Sequence, residues 1–484
     1  MRNRGRLFLA GFCLTVMLTA VAAVAQTAKE DVLARIDREQ APYTEIMNKI
    51  WDYAEVGFKE TRSSALLQER LRADGFKVDA GVAGMPTAFV ASYGSGKPIV
   101  GILAEYDALP GISQQGVPEK KARPGSTAAH ACGHHAFGAG SIEAAAAVAA
   151  WMKATGRQGT LRVYGCPAEE GGSGKVYLVR AGLFNDVDAV LHWHPSDGNS
   201  AITGPSKANI SAKFRFTGIA AHASSSPHRG RSALDGVESM DYMVNMMREH
   251  VPQDVRIHYV ITRGGEAPNV VPAFAESYYY VRDKDRRVVR EVFERVTQAA
   301  KGAAMGTGTT VEWEITGGVH DLLPNEALAK AAQANLERVG GFSYDESEKR
   351  FAAELGKTFI GGRAAAVELA RTVQPLRIDP NGEGGGSTDV GDVSYAVPTV
   401  GVRTATWVPG TPAHSWQAAA CGATTICVKG RLMASKALAL TAMDLFTDAK
   451  LVADAKAELI RRRGEDFKYE PLLGDRAPAL NYRD

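Results

Sequence analysis

The stretch TLRVYGCPAEEGGSGKVYLVRAGLFNDVDAVLHWH, residues 160–194, decides how this chain is built. It reads as a strand over 160–166, a helix over 173–181 and a second strand over 187–193. Strands that alternate with helices predict a mainly parallel α/β sheet. The chemistry-bearing residues sit where that reading puts strand ends. Glu169 and Glu170 follow the first strand, with Gly171 and Gly172 behind them, and His194 closes the second. Adjacent side chains point apart, so one carboxylate can reach a metal while the other faces a bound water.

Upstream, the same alternation continues. Residues 29–74 read as helices, with apolar spacing through Ile46, Ile50 and Ala54 and then Leu66, Leu67 and Leu71, closed by Gly75. Strands are predicted over 87–93 and 98–104, the second running into Glu105 and Asp107, with a loop over 110–129 and a buried Ala/Gly-rich helix over 135–153. Just before that helix stand His130-Ala131-Cys132-Gly133-His134-His135. Cys, His and Glu are the side chains that bind a borderline-soft divalent metal. Cys132 and His134, two apart, would diverge on a helix, so they are placed in the loop or first turn. The plainer alternative is a buried Cys beside a capping His. Of His192 and His194, only one is expected to face the site, and His194 at the open end is the choice.

Downstream the character changes. Residues 207–218 alternate like a strand, and helix 231–249, strands 255–263 and 273–281, helix 285–304 and strand 309–316 follow. That β-α-β-β-α-β order is the ferredoxin-like split, a self-contained insert over 206–316 between two parts of a catalytic domain, 26–205 and 317–484. After it come helices 326–339 and 345–356, a Gly-rich loop over 382–391, a strand over 397–403 and a long helix near 425–446. The tail 460–484 is polar and is expected to pack poorly. Glu105 and Asp107, Glu169 and Glu170, His194, and His414 after a fourth strand all fall at strand carboxyl ends, where open α/β sheets gather their ligands. His222, at the end of the insert's first strand, can donate to a developing oxyanion. Asn269 and Arg282 can hold a substrate carboxylate.

Bulk properties exclude more than they assign. With 484 residues, two domains are expected, and 45% hydrophobic with 23% charged residues is ordinary for a globular protein. Lys and Arg number 56 against 54 Asp and Glu, and Arg2, Arg4 and Arg6 account for the surplus, so nothing suggests nucleic acid. Those arginines precede an uncharged run, Leu7 to Ala25, that ends Ala23-Val24-Ala25. This is the pattern of a cleaved signal peptide over 1–25, with an uncleaved membrane anchor as the alternative because the run is long enough to span a bilayer; periplasmic or secreted export is expected, with no membrane segment beyond it. Four cysteines remain, Cys132, Cys166, Cys421 and Cys427, too few for a disulfide framework. No G-x-S-x-G elbow is present, and Gly174-Lys175 lacks the flanking residues of a P-loop.

Taken together, Glu105-Tyr106-Asp107-Ala108-Leu109-Pro110-Gly111, Cys132-Gly133-His134, Pro167-Ala168-Glu169-Glu170-Gly171-Gly172, Ser387-Thr388-Asp389-Val390-Gly391-Asp392-Val393-Ser394 and the 411–416 stretch resemble the metal-dependent aminoacylase/carboxypeptidase family of amidohydrolases. The closer likeness is to its branch of auxin-conjugate and hippurate hydrolases, which has Cys-Gly-His where other members carry a bridging Asp. The resemblance implies two divalent ions, zinc first and manganese or cobalt as alternatives. It implies that Cys132 bridges them, that His134 and His194 complete one site and Glu170 and His414 the other. Glu169 becomes the general base, and Asp107 supports the ligands. His222, Asn269 and Arg282 match substrate-binding residues of a satellite domain that also forms a homodimer, with His222 reaching into the partner subunit's site. His135 departs from the Asp or Asn usual in this branch. The expected substrate is a small N-acyl or N-aroyl amino acid, aminobenzoyl-glutamate among the candidates. A dipeptidase or carboxypeptidase on the same site, and a non-catalytic peptide-binding protein, are the rival readings.

Overall fold

The computed structural model describes residues 27–361, 366–379, 382 and 385–483. The leader expected over 1–25 lies outside them. Among the described residues, no helix is long and apolar enough to cross a membrane.

The central sheet has seven strands, in the spatial order Lys77–Ala80, Phe89–Ser95, Gly159–Cys166, Ile99–Glu105, Ala189–Ser196, Thr399–Ala405, Ser200–Ala201. Its four inner strands run parallel, with antiparallel pairs at both edges. Ile99–Glu105 is buried at every position, as expected for a parallel strand covered on both faces. The helix His134–Thr155 is buried along nearly its whole length. Its small residues allow this close approach: a Cβ on Gly140 would meet Arg431 and Trp193 at 3.0 Å. The long helix Thr425–Thr447 packs against it and against the inner strands. Both helices are buried over most of their length.

A second sheet of four strands is antiparallel throughout, in the order Arg256–Arg263, Phe274–Asp283, Ala208–Thr217, Thr310–Val319. Two amphipathic helices, Ala233–Met247 and Arg286–Thr307, bury one face each against it. Ser232 and Asp285 cap them by accepting from the backbone N–H of Asp235 and Arg287. Phe214, Phe216, Val237, Tyr279 and Val292 form an apolar cluster of its own.

Two readings of the C-terminal part are corrected. The Gly-rich loop gives way at its end to a short helix, Val390–Ala396, and a helix over Ala449–Arg463 follows the long one. The polar tail is packed. Leu472 and Leu473 are buried, and Tyr469 donates to Asp392 at 2.7 Å. Composition alone misleads here, because a polar segment can be held by a few anchors that only the tertiary structure supplies.

Candidate metal centre and cavity

The catalytic candidates meet at the carboxyl ends of the inner strands, around a cavity of about 570 Å³ lined by Cys132, Glu169, Glu170, His194, Arg282 and His414 among others. Gly133 makes the first turn of this site. It caps the buried helix with φ +83°, and a Cβ there would meet Pro195 at 2.6 Å. Only glycine takes that backbone cheaply, and the turn sets Cys132 and His134 on either side of it.

Ligand atoms fall into groups in which each atom lies within 4.8 Å of the others. One group is Cys132, His134 and His194; another is Cys132, Glu170 and His414. Cys132 belongs to both. Its Sγ is 3.5 Å from His194 Nε2, and His414 Nε2 is 3.3 Å from Glu170 Oε1. His414 holds φ +58° and donates its backbone N–H to the Ala131 carbonyl, which ties its loop to the Cys132 turn. A third group joins Glu105, His134 and Glu169. The neighbouring carboxylates of Glu169 and Glu170 therefore serve different groups.

Asp107 sits beneath. One of its oxygens accepts from His134 Nδ1 at 2.9 Å, the other from the Glu170 backbone N–H at 2.9 Å. The first bond fixes the tautomer that leaves His134 Nε2 free to ligate. Glu105 Oε2 lies 3.1 Å from that nitrogen, but off axis, and both atoms are buried without a hydrogen bond. Below Glu105, the fully buried Lys175 ammonium contacts Glu105 at 2.5 Å and Asp389 at 2.6 Å. Sequence reasoning assigned no role to Lys175 or Asp389. Only the fold shows them paired.

The electrostatics follow from burial. It pushes the Cys132 thiol up, with the Glu170 carboxylate adding to the effect. It also raises Glu169 well above the usual carboxylate range, helped by Glu105 and Glu170. His134 is raised instead. Burial opposes its charge, but Cys132, Asp107 and Glu105 outweigh it. His194 is lowered by burial and by His134. Buried acids crowded so closely want positive charge. The donor set, one thiol, three imidazoles and a carboxylate, suits a borderline-soft divalent ion. Glu170 Oε1 and His134 Nε2, buried with no hydrogen bond, are the donors such an ion would engage.

Several assignments change. His192 and His194 both line the cavity. Residues two apart on a strand share a face, so the expectation that only one could do so was wrong. His192 abuts Gly401, where a Cβ would meet its ring at 2.4 Å. His135 turns away and hydrogen-bonds the Gly422 carbonyl at 3.0 Å. Arg282 reaches the cavity. His222 and Asn269 do not line it. They neighbour each other elsewhere, through a His222–Val270 bridge and the Ala223 N–H on the Asn269 carbonyl, and both are solvent-accessible. The tail, by contrast, arrives unannounced. The hydroxyl of Tyr482 donates to the Glu170 carbonyl at 3.1 Å, Arg483 donates to the same oxygen, and Arg483 lines the cavity. All four described cysteines are free.

Residues 101–419 match the model of peptidase family M20/M25/M40. The chain is 39% identical over 447 residues to one of the subunits of the p-aminobenzoyl-glutamate hydrolase of Escherichia coli, covering 87% of this chain and 93% of that protein. It is 28% identical to the mouse (Mus musculus) Xaa-Arg dipeptidase, covering 91% and 94%. Among solved structures, a Bacillus subtilis protein described as a dinuclear metal binding peptidase of the M20 family superposes with a TM-score of 0.55 at 19% identity, covering 85% of this chain and 99% of that one.

Proposed function

The chain belongs to peptidase family M20/M25/M40 and is a metal-dependent amidohydrolase, and from that premise we propose that it cleaves N-acyl or N-aroyl amino acids, p-aminobenzoyl-glutamate among them, with two divalent ions, zinc foremost. The observation that carries this reading is the meeting of two ligand groups at Cys132, with Glu169 beside them on the cavity wall. When bound, such ions supply the positive charge that polarises an amide carbonyl and acidifies water. Cys132, His134 and His194 would hold one ion, and Cys132, Glu170 and His414 the other. Glu169 ligates neither. It takes the proton from the attacking water and passes it to the leaving amine. Asp107 keeps the cage in register through His134 and the Glu170 backbone. Arg282, with one face open to the cavity, holds the substrate carboxylate.

His222 and Asn269 act from a second copy of the chain. Their accessibility in one subunit supports this, as does an apolar surface on the same four-stranded unit. Tyr242, Met243 and Met246 on one helix, and Val260 and Ile261 on the edge strand Arg256–Arg263, are all more than two-fifths exposed. Unpaired edge strands with apolar side chains favour pairing with another chain. We read the unit over 206–316 as the dimerisation and substrate-closing domain of a homodimer. Export rests on the pattern of residues 1–25 alone.

A hydrolysis screen over N-aroyl and N-acyl amino acids and dipeptides, with and without chelator, tests the reading. Chelator-sensitive release of the amino acid from N-acyl substrates is expected. Preference for free dipeptides would give the activity to a dipeptidase, and no hydrolysis of either class would refute it.

A further inference from the structure

We infer that Arg483, from the C-terminal tail, is a second cation in the cavity wall that holds Arg282, and that it takes the second carboxylate of an N-acylated dicarboxylic amino acid while Arg282 takes the first. This rests on the amidohydrolase reading and narrows its substrate class.

Both guanidinium groups line the one cavity, and in both the Nε is buried with no hydrogen-bond partner. Among the described residues neither is paired with a carboxylate. Arg282 rests against the Tyr280 ring, 5.1 Å from its centroid, and Arg483 against the Tyr482 ring at 4.6 Å, with one further bond to the Glu170 carbonyl. Partly buried guanidinium groups whose Nε donors lack partners favour an anion that completes them. Asn209 Oδ1, on the same wall, is buried and unpartnered too. Tyr280 lines the same cavity. Burial raises its hydroxyl, and both Arg282 and Arg483 pull it back.

The other carboxylates of the cavity are already committed. Glu170 belongs to the Cys132–His414 group, Glu105 and Asp389 to Lys175, and Glu169 sits with His134. Nothing there neutralises the arginines, so a substrate with one carboxylate would satisfy one guanidinium and leave the other. A substrate with two satisfies both. The same wall disfavours a basic amino acid, whose side chain would meet like charge.

Arg483 is held in place by the fit of its neighbour. Tyr482 packs edge-on against Phe58 at 5.6 Å and over the glycines at 57 and 172, where a Cβ would meet its hydroxyl at 2.1 Å and its ring at 3.3 Å. The tail is thus seated by an aromatic anchor and presents a cation one residue later.

The test is binding of N-benzoyl-L-glutamate and N-benzoyl-L-glutamine, measured calorimetrically on the full metal-loaded chain in a Glu169→Gln background that blocks turnover. The glutamate derivative should bind tighter. Arg483→Gln should weaken it by about ten-fold or more, as expected for a lost charge-assisted pair, and leave the glutamine derivative within about two-fold, while Arg483→Lys, which keeps the charge but not the planar fork, should recover part of the loss. Equal weakening of both ligands, no change in either, or no preference for the diacid in the parent would overturn the assignment. Hydrolysis by the unmutated chain is scored separately. Diacid-selective binding without release of benzoate would defeat the amidohydrolase reading and leave the role of Arg483 standing.

Discussion

Asp107 accepts a hydrogen bond from His134 Nδ1 at 2.9 Å and so decides which nitrogen of that imidazole faces the cage. Its second oxygen holds the backbone of Glu170. One buried carboxylate therefore orients a ligand of each proposed ion. Asp107→Asn keeps the shape but can present a donor where an acceptor is needed. Metal affinity should fall about 10–100-fold, the usual effect of losing such a support, and a competitive chelator titration measures it. Unchanged affinity would remove Asp107 from this role.

Glu169→Gln separates binding from proton transfer. The variant should keep its full metal content and lose about 10²–10⁴ in turnover. Elemental analysis and hydrolysis rates on one preparation report both. Near-parental turnover would take the proton-shuttling role away from Glu169.

His222 lies outside the cavity of its own chain. His222→Ala should lower turnover without releasing metal. Mixed dimers of that variant with Glu169→Gln should regain activity, because one of the two sites then has both residues. A verified mixed dimer with no regained activity would place His222 outside the reaction.

Lys175 is fully buried between Glu105 and Asp389. Removing one partner of a buried charge cluster costs about 3–5 kcal/mol, since two carboxylates then share a dry site. Lys175→Met should show that loss in denaturant unfolding of the metal-loaded protein. A loss within experimental error would mean that the two carboxylates are protonated or hydrated in the native state.

Much of this was legible in the chain. Alternation and helical spacing located the inner strands and the helices beside them, and Cys132-Gly133-His134 could be placed in a turn because a helix would have parted its ligands. Glu169 and Glu170 were readable as a diverging pair. What was hidden needed the third dimension. Tyr482 and Glu170 are 312 positions apart, and no local pattern in a polar tail foretells that contact. Lys175 and Asp389 are 214 apart, and each alone reads as an ordinary charged residue. The two-residue period of a strand puts His192 on the cavity face with His194, yet only His194 joins a ligand group.

With both ligand groups filled, Cys132 would hold two ions. Counting tightly bound metal per chain tests it most directly, by elemental analysis of the parent, His194→Ala, His414→Ala and Cys132→Ala. Two ions are expected in the parent, one in each histidine variant and severe loss from both sites in the cysteine variant. A parent that holds a single ion, or a Cys132→Ala chain that retains two, would contradict it.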